Sequence, residues 1–121
     1  MITEDYVSFE TAKLLKEKGF DECCRVKYKY VKEFDRYLQT TEYVDDGFEK
    51  YYYPCPTLQM AMKWLRGVYG LFIRITEDIT GKVFGWSVYQ KNYGCRVSTY
   101  VEDSYEQACE AAIKFCLENL I

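Results

Sequence analysis

Not one histidine occurs among the 121 residues, and there are only two prolines. Serine and cysteine nucleophiles are ordinarily activated by a neighbouring base, most often histidine, so its absence removes the commonest hydrolase arrangements. It also removes one of the usual zinc ligands, and no pair of C-x-x-C knuckles stands in for it. Phosphate-cradling loops are missing too: neither G-x-x-x-x-G-K-[ST] nor G-x-G-x-x-G occurs, and there is no EF-hand calcium loop. No cofactor and no metal are expected, and no catalytic residue is nominated.

Long apolar runs are also lacking, and none approaches the roughly 20 residues of a membrane span. The start, Met1-Ile2-Thr3-Glu4-Asp5, is acidic, without the basic opening and apolar stretch of a secretory signal, so a cytoplasmic location is expected. A surplus of basic charge is missing as well. The net charge is −3; residues 1–70 carry 11 basic and 12 acidic side chains, and residues 71–121 carry 5 and 7. Neither part has the basic excess that drives phosphate binding by counterion release, which makes duplex nucleic acid a poor default partner.

What is present suits one folded domain spanning 1–121. Hydrophobic residues make up 49% and charged residues 29%, enough apolar surface to offset chain entropy in a chain of this length. Six cysteines do not make a disulfide framework. Cys23 and Cys24 are adjacent, and Cys109 and Cys116 lie two turns apart on one predicted helix, too far to bridge. They read as reduced thiols used as small hydrophobes. The neighbours Cys23 and Cys24 are the one pair that invites an activated thiol, set against a packing role.

Along the chain, Ser8 can cap a helix over Phe9–Lys18 that Gly19 ends. Cys24 to Tyr30 alternates as a strand with one apolar and one basic face. Residues 37–44 and 48–53 read as a hairpin closed at Asp45-Asp46-Gly47. Pro54-Cys55-Pro56-Thr57 sets up a second helix, with Leu58, Ala61, Met62, Leu65, Val68 and Tyr69 on its stripe, that ends at Gly70. Leu71–Glu77, Val83–Gln90 and Cys95–Val101 are three strands whose short connections allow only antiparallel neighbours. Asp103-Ser104 opens a last helix carrying Tyr105, Ala108, Ala112, Phe115, Cys116 and Leu120 on one side. The class is therefore α+β, a mainly antiparallel sheet in the order α-β-(ββ)-α-β-β-β-α with three helices packed on it.

The acidic pairs Asp45-Asp46, Glu77-Asp78 and Glu102-Asp103 fall at predicted turns or element ends, where carboxylates serve local structure. Tyrosine is the unusual feature, at 13 residues, including Tyr51-Tyr52-Tyr53. Such a run can be a recognition surface, or it can cover the core while its hydroxyls reach water. Arg25, Lys27, Lys29 and Lys32 interleave with aromatics as on single-strand nucleic-acid surfaces, and equally as on any solvated strand. If Arg25, Lys27 and Lys29 converge with exposed tyrosines on one groove, a nucleic-acid reading gains; if they are dispersed or paired to carboxylates, it fails. Tyr51, Tyr52, Tyr53, Arg25, Lys27 and Lys29 are the nominated partner surface.

Three segments carry a resemblance: residues 7–22 (Val-Ser-Phe-Glu-Thr-Ala-Lys-Leu-Leu-Lys-Glu-Lys-Gly-Phe-Asp-Glu), 56–66 (Pro-Thr-Leu-Gln-Met-Ala-Met-Lys-Trp-Leu-Arg) and 105–114 (Tyr-Glu-Gln-Ala-Cys-Glu-Ala-Ala-Ile-Lys). Together they resemble a family of short proteins of gut Bacteroides and their phages to which no activity is assigned, which implies a mobile-element or phage origin. Residues 58–119, in the order helix, three strands, helix, are similar to the double-stranded-RNA-binding fold and in part to HicB-type antitoxins, whose last helix opens much as Ser104-Tyr105-Glu106-Gln107-Ala108 does. RNA-binding members place lysines at that helix start. Here Glu106 and Glu110 stand instead, which argues against duplex RNA there. The expected function is a non-enzymatic binding or accessory protein acting through an unidentified protein partner, with a nucleic-acid-associated regulator as the alternative.

Overall fold

In a computed structural model of the protein, residues 5–42 and 52–121 are described. The chain groups into two compact units, Met1–Thr57 and Leu58–Ile121, a division that no linker in the sequence marks. The class is α+β with antiparallel pairing throughout the described strands, but these form two three-stranded sheets instead of the one expected.

In the first unit, α1 covers Phe9–Glu17. Ser8 caps it, its side chain accepting from the Thr11 amide. At the other end Gly19 takes a φ of +98°, the Gly19 amide donates to Lys16 O and the Phe20 amide to Leu15 O. This is the Schellman closure that the Lys18-Gly19-Phe20 sequence predicts. Val7, Thr11, Ala12, Leu15 and Phe20 are buried.

The strands of this unit are β1 (Lys27–Val31), β2 (Arg36–Thr40) and β3 (Tyr52–Pro54), in the order β2-β1-β3. The strand predicted from Cys24 thus starts at Lys27, and its partner is the next segment in sequence. The Lys32–Asp35 turn closes that hairpin, with Phe34 N donating to Val31 O and Asp35 at a φ of +50°. The expected pairing of 37–44 with 48–53 is corrected: β2 and β3 flank β1 on opposite sides. The turn expected at Asp45-Asp46-Gly47 lies outside the described residues.

Cys55 N donates to Val26 O, so by antiparallel alternation Tyr53 bonds towards β1 while the backbone of Tyr52 and Pro54 faces away from it. Pro54 has no N–H to leave unpaired on that outer side. The outward carbonyl of Tyr52 accepts from Lys16 Nζ at 2.7 Å.

In the second unit, α2 spans Leu58–Tyr69, β4 Leu71–Glu77, β5 Phe84–Gln90, β6 Gly94–Glu102 and α3 Tyr105–Asn119. The meander β4-β5-β6 is the predicted one. On α2, Leu58, Ala61, Met62 and Leu65 are buried as expected, whereas Val68 is exposed. Gly70, at a φ of +66°, turns the chain into β4. Ser104 caps α3 by accepting from Gln107 N. The buried face of α3 is Ala108, Cys109, Ala112, Ile113, Cys116 and Leu117, so Tyr105, expected on that face, is exposed. Leu71, Trp86 and Val88 supply the sheet's part of the core, and Trp86 meets the Phe115 ring at 5.5 Å.

Candidate functional site

Alternation along β1 sends Tyr28 to one face of the first sheet and Lys27 and Lys29 to the other. Tyr28 is 8% exposed, and its hydroxyl donates to Val7 O at 2.8 Å and accepts from Gln39 Nε2. On the same face Phe9 of α1 stacks on Tyr37, with centroids 4.3 Å apart, and meets Tyr53 and Tyr28 edge-on. Lys16 Nζ sits 4.8 Å from the centre of the Tyr53 ring. Tyr53 therefore belongs to an aromatic layer between helix and sheet, the core-covering role. Tyr52, its neighbour, pairs across from Lys29 on the opposite face. Tyr51 lies outside the described residues.

The three nominated cations do not form one basic track. Arg25 is exposed at a bend ahead of β1. Lys29 Nζ is 3.0 Å from Glu42 Oε2, and that hydrogen bond and charge push its ammonium above the ordinary lysine value. Lys27 instead lines a pocket of about 470 Å³ together with Lys16, Phe20, Cys24, Tyr52 and Pro54, with Asp21 and Glu22 at the same opening.

This pocket holds both cysteines that the sequence singled out, the exposed Cys23 and the buried Cys24. Burial pushes the Cys24 thiol up to about 11, and the adjoining Cys23 adds to the effect. A thiol held that high is protonated at neutral pH, which disfavours the thiolate that nucleophilic attack requires. The acidic pair Glu77-Asp78 has a local use: Asp78 Oδ1 accepts from the amide and hydroxyl of Thr80 within the β4–β5 turn, which lowers its pKa.

A second surface was not singled out in the sequence. In the second unit the row Ile73-Val88-Val97 and the row Ile75-Trp86-Thr99 lie on the face that meets α3. The opposite face carries three cross-strand rows: Phe72-Tyr89-Cys95, Arg74-Ser87-Ser98 and Thr76-Gly85-Tyr100. Two register shifts in β6 leave extra residues, Arg96 between the first two of these rows and Val101 beyond the third. Ser87 Oγ donates to Ser98 Oγ at 3.1 Å in the middle row. Phe72, Tyr89 and Tyr100 are 46%, 38% and 53% exposed, although large aromatic side chains are normally among the more buried. The alternation of Phe72, Arg74 and Thr76 was visible beforehand, but choosing the open face required knowing on which side the helices lie. No family model, no curated protein and no solved structure matches the chain.

Proposed function

We propose that this chain is a non-enzymatic binding or accessory protein that acts through protein–protein contacts, with the pocket beside Tyr52 and Pro54 as its recognition point. The observation that carries this reading is the make-up of that pocket. It combines an apolar lining from Phe20, Cys24 and Pro54 with cationic Lys16 and Lys27 and anionic Asp21 and Glu22. Its buried Cys24 thiol is held protonated, and its lining is rich in contact types. An amphipathic tyrosine next to a depression able to take one apolar anchor, within a polar rim, is a common form of protein recognition. The phage or mobile-element origin implied by the resemblance, and a cytoplasmic setting in which all six cysteines stay as thiols, belong to the same proposal.

Selection from a peptide-display library against the intact protein tests it. Enriched peptides should shift the backbone resonances of Lys27 and Tyr52, and Tyr52→Ala or Lys27→Glu should weaken them about tenfold, as loss of a central contact does. Failure to enrich any peptide, or enriched peptides indifferent to both substitutions, would remove the pocket from consideration.

A further inference from the structure

We infer that the open face of the second sheet is a binding site for single-stranded nucleic acid, with bases stacked on Phe72, Tyr89 and Tyr100 and Arg74 holding a phosphate between them. The site uses none of the residues nominated in the first unit. Successive cross-strand rows are two residues apart, so the Phe72-Tyr89 row and the Tyr100 row stand about 13 Å apart along the strands, with the Arg74 row midway. Rings, then a cation with two hydroxyls, then a ring again is the sequence of groups that an alternating chain of bases and phosphates presents.

Charge decides between ligand classes. From Leu71 to Asp103 four basic residues, Arg74, Lys82, Lys91 and Arg96, stand against four acidic ones, Glu77, Asp78, Glu102 and Asp103, but the acids all gather where β4 and β6 end. The acids of this sheet, Glu77 and Glu102, flank Phe84 at the end remote from the β5–β6 hairpin. The hairpin itself is basic and aromatic: the Arg96 guanidinium lies 5.5 Å from the centre of the Tyr93 ring and donates to Gln90 Oε1. The face thus complements an anion that also offers flat π surfaces. A duplex hides the faces of its bases, whereas a single strand exposes them, and stacking on aromatic rings is tolerant of base identity. An acidic protein segment supplies the charge without the planes.

Anisotropy of a labelled oligothymidylate about a dozen nucleotides long, titrated with the intact protein, tests the site. Saturable binding is expected, with a log–log salt slope of about −2, the value for about three neutralised single-strand phosphates. Phe72→Leu and Tyr89→Leu, which keep apolar cover but remove the ring, should each weaken binding roughly fivefold or more while circular dichroism stays unchanged. Arg74→Gln should make the salt slope shallower by about 0.7. The inference is overturned by an absence of saturable binding, by folded ring variants that bind like the parent, by equal affinity for the duplex form, or by displacement with polyglutamate at equal charge.

Discussion

The ring of Tyr100 lies across the α-carbon of Gly85, its cross-strand partner, so closely that a β-carbon built at 85 would stand 2.6 Å from the ring and 2.5 Å from Thr99 O. The Tyr100 ring could swing aside, but the approach to Thr99 O cannot be relieved by any rotamer change, since that atom is backbone. Gly85→Ala should cost about 3 kcal/mol, towards the upper part of the range for overpacking. The urea midpoint should fall with little change in slope. The same substitution should lift Tyr100 off the sheet and weaken oligothymidylate binding.

Both serine caps are open to direct test. Ser8 Oγ accepts from Thr11 N at 3.3 Å and Ser104 Oγ from Gln107 N at 3.1 Å. Alanine at either position leaves an amide of the first turn without its acceptor, and each change should cost about 1 kcal/mol. Glycine at the same positions should cost only a few tenths of that value, a contrast that denaturant titration can read.

Thiol chemistry separates the cysteines by exposure. Cys23 and Cys95 are exposed, and Cys24, Cys55, Cys109 and Cys116 are buried. Two thiols per chain should react rapidly with a disulfide reagent in the native protein, and the other four only after unfolding.

Burial also pushes Cys116 up to about 12 and Cys24 up to about 11, from an ordinary value of 9.0. The unfolded chain therefore loses these protons before the folded one does. The contribution of the two buried thiols is intact below pH 9 and declines as pH rises from there towards 11 and 12. Cys116→Ala should flatten that decline in a melting series from pH 8 to 11, a window set by the same values.

Phe9 touches three tyrosine rings, stacked on Tyr37 and edge-on to Tyr28 and Tyr53. Phe9→Leu keeps much of the apolar volume and removes the ring contacts, so a loss of about 1–2 kcal/mol is expected. Near-ultraviolet circular dichroism should lose tyrosine intensity in step.

Elements with local punctuation were legible in the chain. Ser8 and Gly19 bound α1, Ser104 opens α3, and the close spacing of three apolar stretches after Gly70 makes the β4-β5-β6 meander almost unavoidable. The β1–β2 hairpin was missed because its turn contains no glycine; Asp35 takes the positive φ instead, a role aspartate tolerates. The split into two sheets was not legible either, since strand pairing at a distance leaves no local mark. The tyrosine run was ambiguous for a specific reason: adjacent residues in a strand face opposite ways, so Tyr53 went to the aromatic layer and Tyr52 to the pocket side. Net charge counted over long segments hid the sorting of acids and bases along the second sheet, which shows only when residues are placed on strands.

At the outer side of β3, Pro54 offers no donor and the carbonyl of Tyr52 is already engaged by Lys16. An incoming extended polypeptide would miss a donor at Pro54 and compete with Lys16 for the Tyr52 carbonyl, so that border is a poor template for added strands. Replacing Pro54 by an ordinary residue and Lys16 by a neutral one would reopen it. Such a double variant, though still folded, should form thioflavin-binding fibrils at concentrations where the parent stays dispersed.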